Sequence, residues 1–149
     1  MLWSHYGNSH SGYRLHFSTE FLKRNGIEEK EVKYRNKRIS MDVSTLTDEP
    51  IFKERIFKSM YTKGRHWKYE KEVRFLINPM LCVHNKNLDM DFIDFPPSAL
   101  RRIDLGIRSK PEIVESLESI VREVEYQHVE IYQACIHDDE FRVSYERKF

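Results

Sequence analysis

The densest run of chemistry-bearing side chains in this 149-residue chain is Trp67-Lys68-Tyr69-Glu70-Lys71-Glu72-Val73-Arg74. Read as an extended segment, its two-residue period lines up Glu70, Glu72 and Arg74 in one row, adjacent members roughly 7 Å apart. Lys71, Val73, Phe75 and Ile77 take the opposite face, and three of those four are apolar. A carboxylate–carboxylate–guanidinium row can divide labour. One acid is oriented by the arginine, and the other is left to act as a base or to stabilise developing positive charge. The same pattern is also that of a solvated, salt-bridged sheet face.

A second group opens the chain. Trp3-Ser4-His5-Tyr6, then His10 and Gly12, bring two histidines and aromatic rings to the start of a strand. Histidine titrates near neutral pH and tyrosine can donate or stack, so Trp3, His5, Tyr6 and His10 are candidate binding residues. The structural alternative is an amphipathic turn in which Trp3 and Tyr6 cover a core while His5 and His10 face water.

Two further patterns carry less. Cys82-Val83-His84 and Cys135-Ile136-His137 could in principle assemble a Cys2His2 site, but the spacing is not that of a zinc module, and no metal is expected. Lys33-Tyr34-Arg35-Asn36-Lys37-Arg38, with Arg101, Arg102 and Arg108, is a basic set that could meet phosphate. With 25 basic against 24 acidic residues it reads first as a solvated loop, and a dedicated nucleic-acid module is not expected. There is no glycine-rich dinucleotide or P-loop fingerprint, no nucleophile elbow and no His-Glu-x-x-His run.

The elements that must position these residues follow from periodicity. Tyr13, Leu15 and Phe17 alternate with Arg14 and His16, which predicts a strand over 13–17. A short helix follows, stopped at Asn25-Gly26. Glu31–Tyr34 reads as a strand and 36–48 as a loop. Pro50 starts a helix over 50–62, ended by Gly64. Alternation predicts strands over 71–77, 88–93 and 101–107. Ser109 and Pro111 open a helix over 111–124, with Ile113, Leu117, Ile120, Val121 and Val124 in one stripe. Strands over 129–136 and 141–145 close the chain through a hairpin link at 137–140. Val73, Phe75, Leu117, Ile120, Val121, Val124 and Ile131 are the expected core. Strand 101–107, helix 111–124 and strand 129–136 suggest a βαβ crossover near the C-terminus. The class is α+β, mostly antiparallel sheet with a few helices, in a single domain over 1–149. Apolar runs are short and the first residues lack a secretory pattern, so a cytoplasmic protein with no membrane span is expected. Two cysteines exclude a disulfide scaffold.

Taken in order, Trp3-Ser4-His5-Tyr6-x3-His10-x-Gly12, the strand ending at Phe17, Val32-x-Tyr34 and Trp67-x-Tyr69-Glu70-x-Glu72-x-Arg74 resemble the C-terminal half of a widespread, mostly bacterial family, domain of unknown function 2971. Ile103-x-Leu105-Gly106, the helix after it and the last two strands fit the same pattern. Family members carry a longer N-terminal half, so the resemblance implies a truncated or split member, with an oligomer or a missing N-terminal segment as its completion. A looser similarity runs to the ADP-ribosyltransferase plan. That analogy implies NAD as cofactor, Glu72 stabilising an oxocarbenium-like state, Glu70 as its helper and Tyr69 or Trp67 as a stacking wall. Three readings stay open. They are an NAD- or nucleotide-processing enzyme of a conflict or defence setting, a non-catalytic nucleotide- or protein-binding module, and an inactive remnant.

Overall fold

The computed structural model describes residues 2–40 and 49–148; the expected loop at 36–48 falls in part outside them. The elements are α1 (Leu2–His5), β1 (Tyr13–Phe17), α2 (Glu20–Arg24), β2 (Glu29–Glu31), β3 (Lys33–Arg35), α3 (Glu49–Met60), β4 (Thr62–Gly64), β5 (Val73–Phe75), β6 (Val83–Asn85), β7 (Met90–Phe92), β8 (Leu100–Leu105), α4 (Pro111–Val121), β9 (Glu130–Ile136) and β10 (Val143–Arg147). Helices and mostly antiparallel strand pairs together make the class α+β, as the alternation predicts. No helix of the described residues is long and apolar enough to cross a membrane. The chain divides into two compact units, residues 1–25 with 84–149, and residues 26–83.

The first unit is built on a four-stranded sheet in the order β1-β8-β9-β10. β8 and β9 run parallel with α4 between them, which is the expected crossover, and β9 and β10 form the expected hairpin. Alternation splits the sheet faces. Ile103, Leu105 and Ile131 are fully buried, and Val114, Leu117 and Val121 of α4 pack against that core. On the other face β1 and β8 set Arg14 opposite Asp104 and His16 opposite Arg102. Glycine at 106 is a steric requirement, because a side chain there would run into the His10 and Gly12 carbonyl oxygens.

Several expectations need correction here. Helix α4 ends at Val121. Ile120 is 41 % exposed and Val124, in a following 3-10 turn, 84 %, so both leave the half-buried stripe, which runs through Val114, Leu117 and Val121. Ser109 does not cap α4. Its hydroxyl donates to the Gly12 carbonyl at 3.0 Å, and Lys110 is the cap residue, without a side-chain bond. The last strand begins at Val143 rather than Phe141, whose ring stands in solvent.

The second unit carries two small pairings, β2 with β5 antiparallel and β3 with β4 parallel. Among its described residues, Ile27 and Val32 are the buried apolar ones. The Val32 amide donates to the Glu72 carbonyl at 3.0 Å and the Lys33 amide to the Tyr61 carbonyl at 2.7 Å, which ties the two pairings together. The strand expected over 71–77 shrinks to Val73–Phe75. Residues Arg65–Glu70 form a 3-10 turn, and Lys71 closes it in the left-handed region at φ 46°. Val73 is exposed, not core. A three-residue strand paired on one side offers too little sheet to bury either face.

Candidate functional site

The 3-10 turn and the left-handed Lys71 abolish the extended row, yet the row's members still meet. A left-handed residue between Glu70 and Glu72 breaks the alternation and turns both carboxylates to one cation, Lys63 of β4. The Lys63 Nζ donates to Glu70 and, at 3.1 Å, to Glu72. Arg74 completes the network, its Nε donating to Glu72 Oε1 at 2.5 Å and its Nη2 to Oε2 at 3.2 Å. A further Arg74 nitrogen donates to the Met60 carbonyl. The Glu72 amide donates to the Tyr34 hydroxyl at 2.8 Å, which fixes the backbone that carries the acid.

This network is not a solvated face. The side chains of Glu70, Lys63, Glu72 and Arg74 are 5, 23, 27 and 32 % exposed. Hydrogen bonds from Arg74, reinforced by Lys63, hold the Glu72 carboxyl below its usual range against the opposing pull of burial. The Glu70 hydrogen bond in turn raises the Lys63 ammonium, with Glu72 adding to it. Arg74 is raised by Glu72. A carboxylate so stabilised in its charged form is a poor proton acceptor.

Lys63 also faces a cavity. Its Nζ lies 5.1 Å from the Trp67 ring centroid, and Lys63 and Trp67 both line a space of about 790 Å³. The rest of that wall is strongly basic, with Arg35, Lys37, Arg38 and Arg65 beside His66. An adjoining space of about 630 Å³ shares Arg35–Ile39 and Arg65 and adds Lys58. Arg35, Lys37, Arg38 and Arg65 form no ion pair with another described residue. Trp67 leans on His66 at 5.3 Å and on Tyr69 at 6.0 Å between centroids, so the aromatic wall is braced.

The opening group folds differently from a single pocket. Trp3 is buried, its indole donating to the Tyr145 hydroxyl at 3.0 Å. His10 stacks on it at 6.2 Å. Tyr6, expected over the core, is instead 66 % exposed. Asn8, Ser9 and His10 all adopt positive φ, and three backbone bonds hold the segment, including Arg108 N–H to His10 O at 2.8 Å. Trp3 and Tyr6 line one small pocket, whereas His10 lines another with Arg108 and Phe141; His5 lines neither.

Sequence reasoning missed three features. Lys63 and Arg65 carried no periodic signal. Asp104 is the third. It is fully buried on the polar sheet face and bound by Arg102 at 2.5 Å, His16 at 2.7 Å and Arg14 at 2.9 Å. Burial pushes its carboxyl up, but the hydrogen bonds from Arg102, Arg14 and His16 together bring it below the usual range. The available signal was Arg102-x-Asp104 alternating with Ile103 and Leu105, one strand serving two chemistries. The His84 ring bonds Asp91 at 2.9 Å, and among the described residues no group of three or more His, Cys, Asp or Glu could hold a metal ion.

Residues 2–75 match the model of a family described as Protein of unknown function (DUF2971), and over that stretch the chain is similar to it. No curated protein and no solved structure matches. The matched stretch contains both motif groups, Trp3 to Gly12 and Trp67 to Arg74, and ends at Phe75. The later segment Ile103–Gly106 and the strands after it lie outside the match.

Proposed function

We propose that the unit of residues 26–83 is a nucleotide-binding module, taking a phosphate-bearing small molecule in the basic cavity. The observation that carries this reading is the collection of Arg35, Lys37, Arg38 and Arg65 around one cavity, without ion-pair partners among the described residues, next to Trp67. Gathering like charges is unfavourable unless an anion relieves it, and guanidinium forks match phosphate oxygens. Trp67 offers a flat apolar wall of the kind on which a base stacks. Lys63, locked by Glu70 and Glu72, is a positioned wall residue rather than a mobile cation. Glu70, Glu72 and Arg74 are positioning residues in this reading, because their charges are spent on one another and on Lys63.

A second reading keeps NAD as substrate, with Glu72 stabilising the cation formed as nicotinamide leaves. It is favoured by Lys63 linking both carboxylates to the cavity wall. It requires Lys63 to release Glu72 when substrate enters.

Equilibrium titration with ADP and with adenosine separates the cases. The binding reading expects saturable ADP binding, adenosine at least about 10-fold weaker, and a loss of about 10-fold or more in Arg65→Glu, the range of one charge-assisted hydrogen bond. Equal affinity for ADP and adenosine, or no saturable binding of ADP, overturns it. Release of nicotinamide from NAD by the parent, abolished in Glu72→Gln, moves the conclusion to the second reading.

A further inference from the structure

The unit of residues 1–25 and 84–149 carries a pocket of its own. Leu2, Trp3, Tyr6, Gly7, Tyr13 and Arg14 enclose about 120 Å³, a space on the order of one six-membered ring. Three aromatic side chains and one leucine make its walls apolar, and among the described residues Arg14 is its one charged lining residue.

The charge balance around Arg14 is not closed. Asp104 is the shared acceptor of Arg14 and Arg102, with His16 as a third partner. Two guanidiniums against one carboxylate leave one positive charge over. Glu130, set opposite Arg102 in the sheet register, does not cancel it, since its oxygens go to Arg147 at 3.2 Å and to the Tyr132 hydroxyl at 3.3 Å. Arg102 is covered by the Tyr132 ring, 3.6 Å from its guanidinium carbon. The surplus is therefore best presented by Arg14, whose side chain is 43 % exposed against 28 % for Arg102. Arg14 donates to Asp104 through Nε and one terminal nitrogen, which leaves its other terminal nitrogen as a donor.

From this we infer that the pocket binds a small planar aromatic ring bearing an anionic group, with the ring among Trp3, Tyr6 and Tyr13 and the anion on Arg14. The buried Asp104 then has a second role. It anchors the guanidinium plane so that the fork is pre-set when the anion arrives. The inference rests on residues of this unit alone and holds whatever occupies the basic cavity of residues 26–83.

The test uses three single-ring probes that differ in charge, benzoate, benzamide and benzylamine, followed by ¹H–¹⁵N NMR at the Trp3 indole and the Arg14 Nε. Benzoate is expected to saturate with shifts at both groups, benzamide to bind at least about 10-fold more weakly, and benzylamine not to bind. Arg14→Gln should remove the benzoate response. Because that variant also loosens Asp104, Tyr6→Ala serves as the second variant. Tyr6 is 66 % exposed and holds no bond to Asp104, so Tyr6→Ala should weaken benzoate binding while lowering the melting temperature less than Arg14→Gln does. Equal affinity for the three probes, shifts away from Trp3 and Arg14, or an unaltered benzoate response in Tyr6→Ala overturns the inference.

Discussion

Glu72→Gln keeps the shape of the side chain and removes its charge, and the structure says what that costs. The carboxylate receives bonds from Arg74 and Lys63, all three side chains being less than one-third exposed. A charge-assisted hydrogen bond contributes about 1.5–3 kcal/mol against about 1 kcal/mol for a neutral one. Glutamine keeps one acceptor oxygen, sets an NH2 against the cationic donors and removes their shared counter-charge, which should destabilise the fold by about 1–2 kcal/mol. For a chain of this length that is a fall in melting temperature of about 3–8 °C. The reading of Glu72 as a solvent-facing strand acid instead predicts almost no change. Glu140→Gln is the internal control, since Glu140 and its partner Arg142 are 59 and 55 % exposed and such a pair contributes little. The assay is a thermal melt by circular dichroism at pH 7, repeated in steps toward pH 3. Glu72 is depressed in the folded state, so its contribution is present above the unfolded carboxylate pKa and disappears as pH falls through the lower folded value. The gap between parent and variant should close on acidification. A Glu72→Gln melt within about 1 °C of the parent at pH 7, matching Glu140→Gln, refutes the network argument.

Asp104→Asn leaves two guanidiniums without their shared counter-charge and should cost about 3 kcal/mol, seen in the same melt; a loss under about 1 kcal/mol contradicts the buried hub. Lys71→Gly should raise stability by up to about 1 kcal/mol, because φ 46° is easier for glycine and Lys71 is exposed; destabilisation would mean that the turn is formed differently. Lys63 is raised in the folded state, so its contribution persists below its ordinary pKa of 10.5 and is lost as pH climbs through the higher folded value. Lys63→Met should accordingly differ most from the parent at neutral pH and converge with it in strong alkali, and a gap that widens with rising pH contradicts the assignment.

Periodicity was legible where an element is long or flanked by sheet on both sides. β8, α4 and β9 follow from alternation and one apolar stripe, because each packs a face on the core, while β1 keeps its alternation at the sheet edge with Tyr13, Leu15 and Phe17 exposed. It failed where tertiary contacts override local pattern. The run from Trp67 to Arg74 alternates well, but a left-handed Lys71 splits it into a 3-10 turn and a short strand, which no two-residue rule anticipates. Glu70, Glu72 and Arg74 nevertheless meet, since all three share one network with Lys63. Lys63 itself was invisible, as it lies seven residues from Glu70 and joins it only through the turn. Asp104 needed Arg14, which is 90 residues distant in sequence and brought opposite only by strand pairing. The basic run Arg35–Arg38 is visible in the sequence and is exposed, as a solvated loop would be; its neighbourhood to Arg65 around one cavity is not visible there, because the fold alone brings the two together.

Whether this basic cavity receives a phosphate-bearing nucleotide is tested most directly by ¹H–¹⁵N NMR of the parent chain titrated with ADP. The predicted result is saturable shifts at the Trp67 indole together with the Nε groups of Arg35, Arg38 and Arg65, weakened in Arg38→Glu. Shifts confined to residues outside that wall, or none at millimolar ADP, would contradict it.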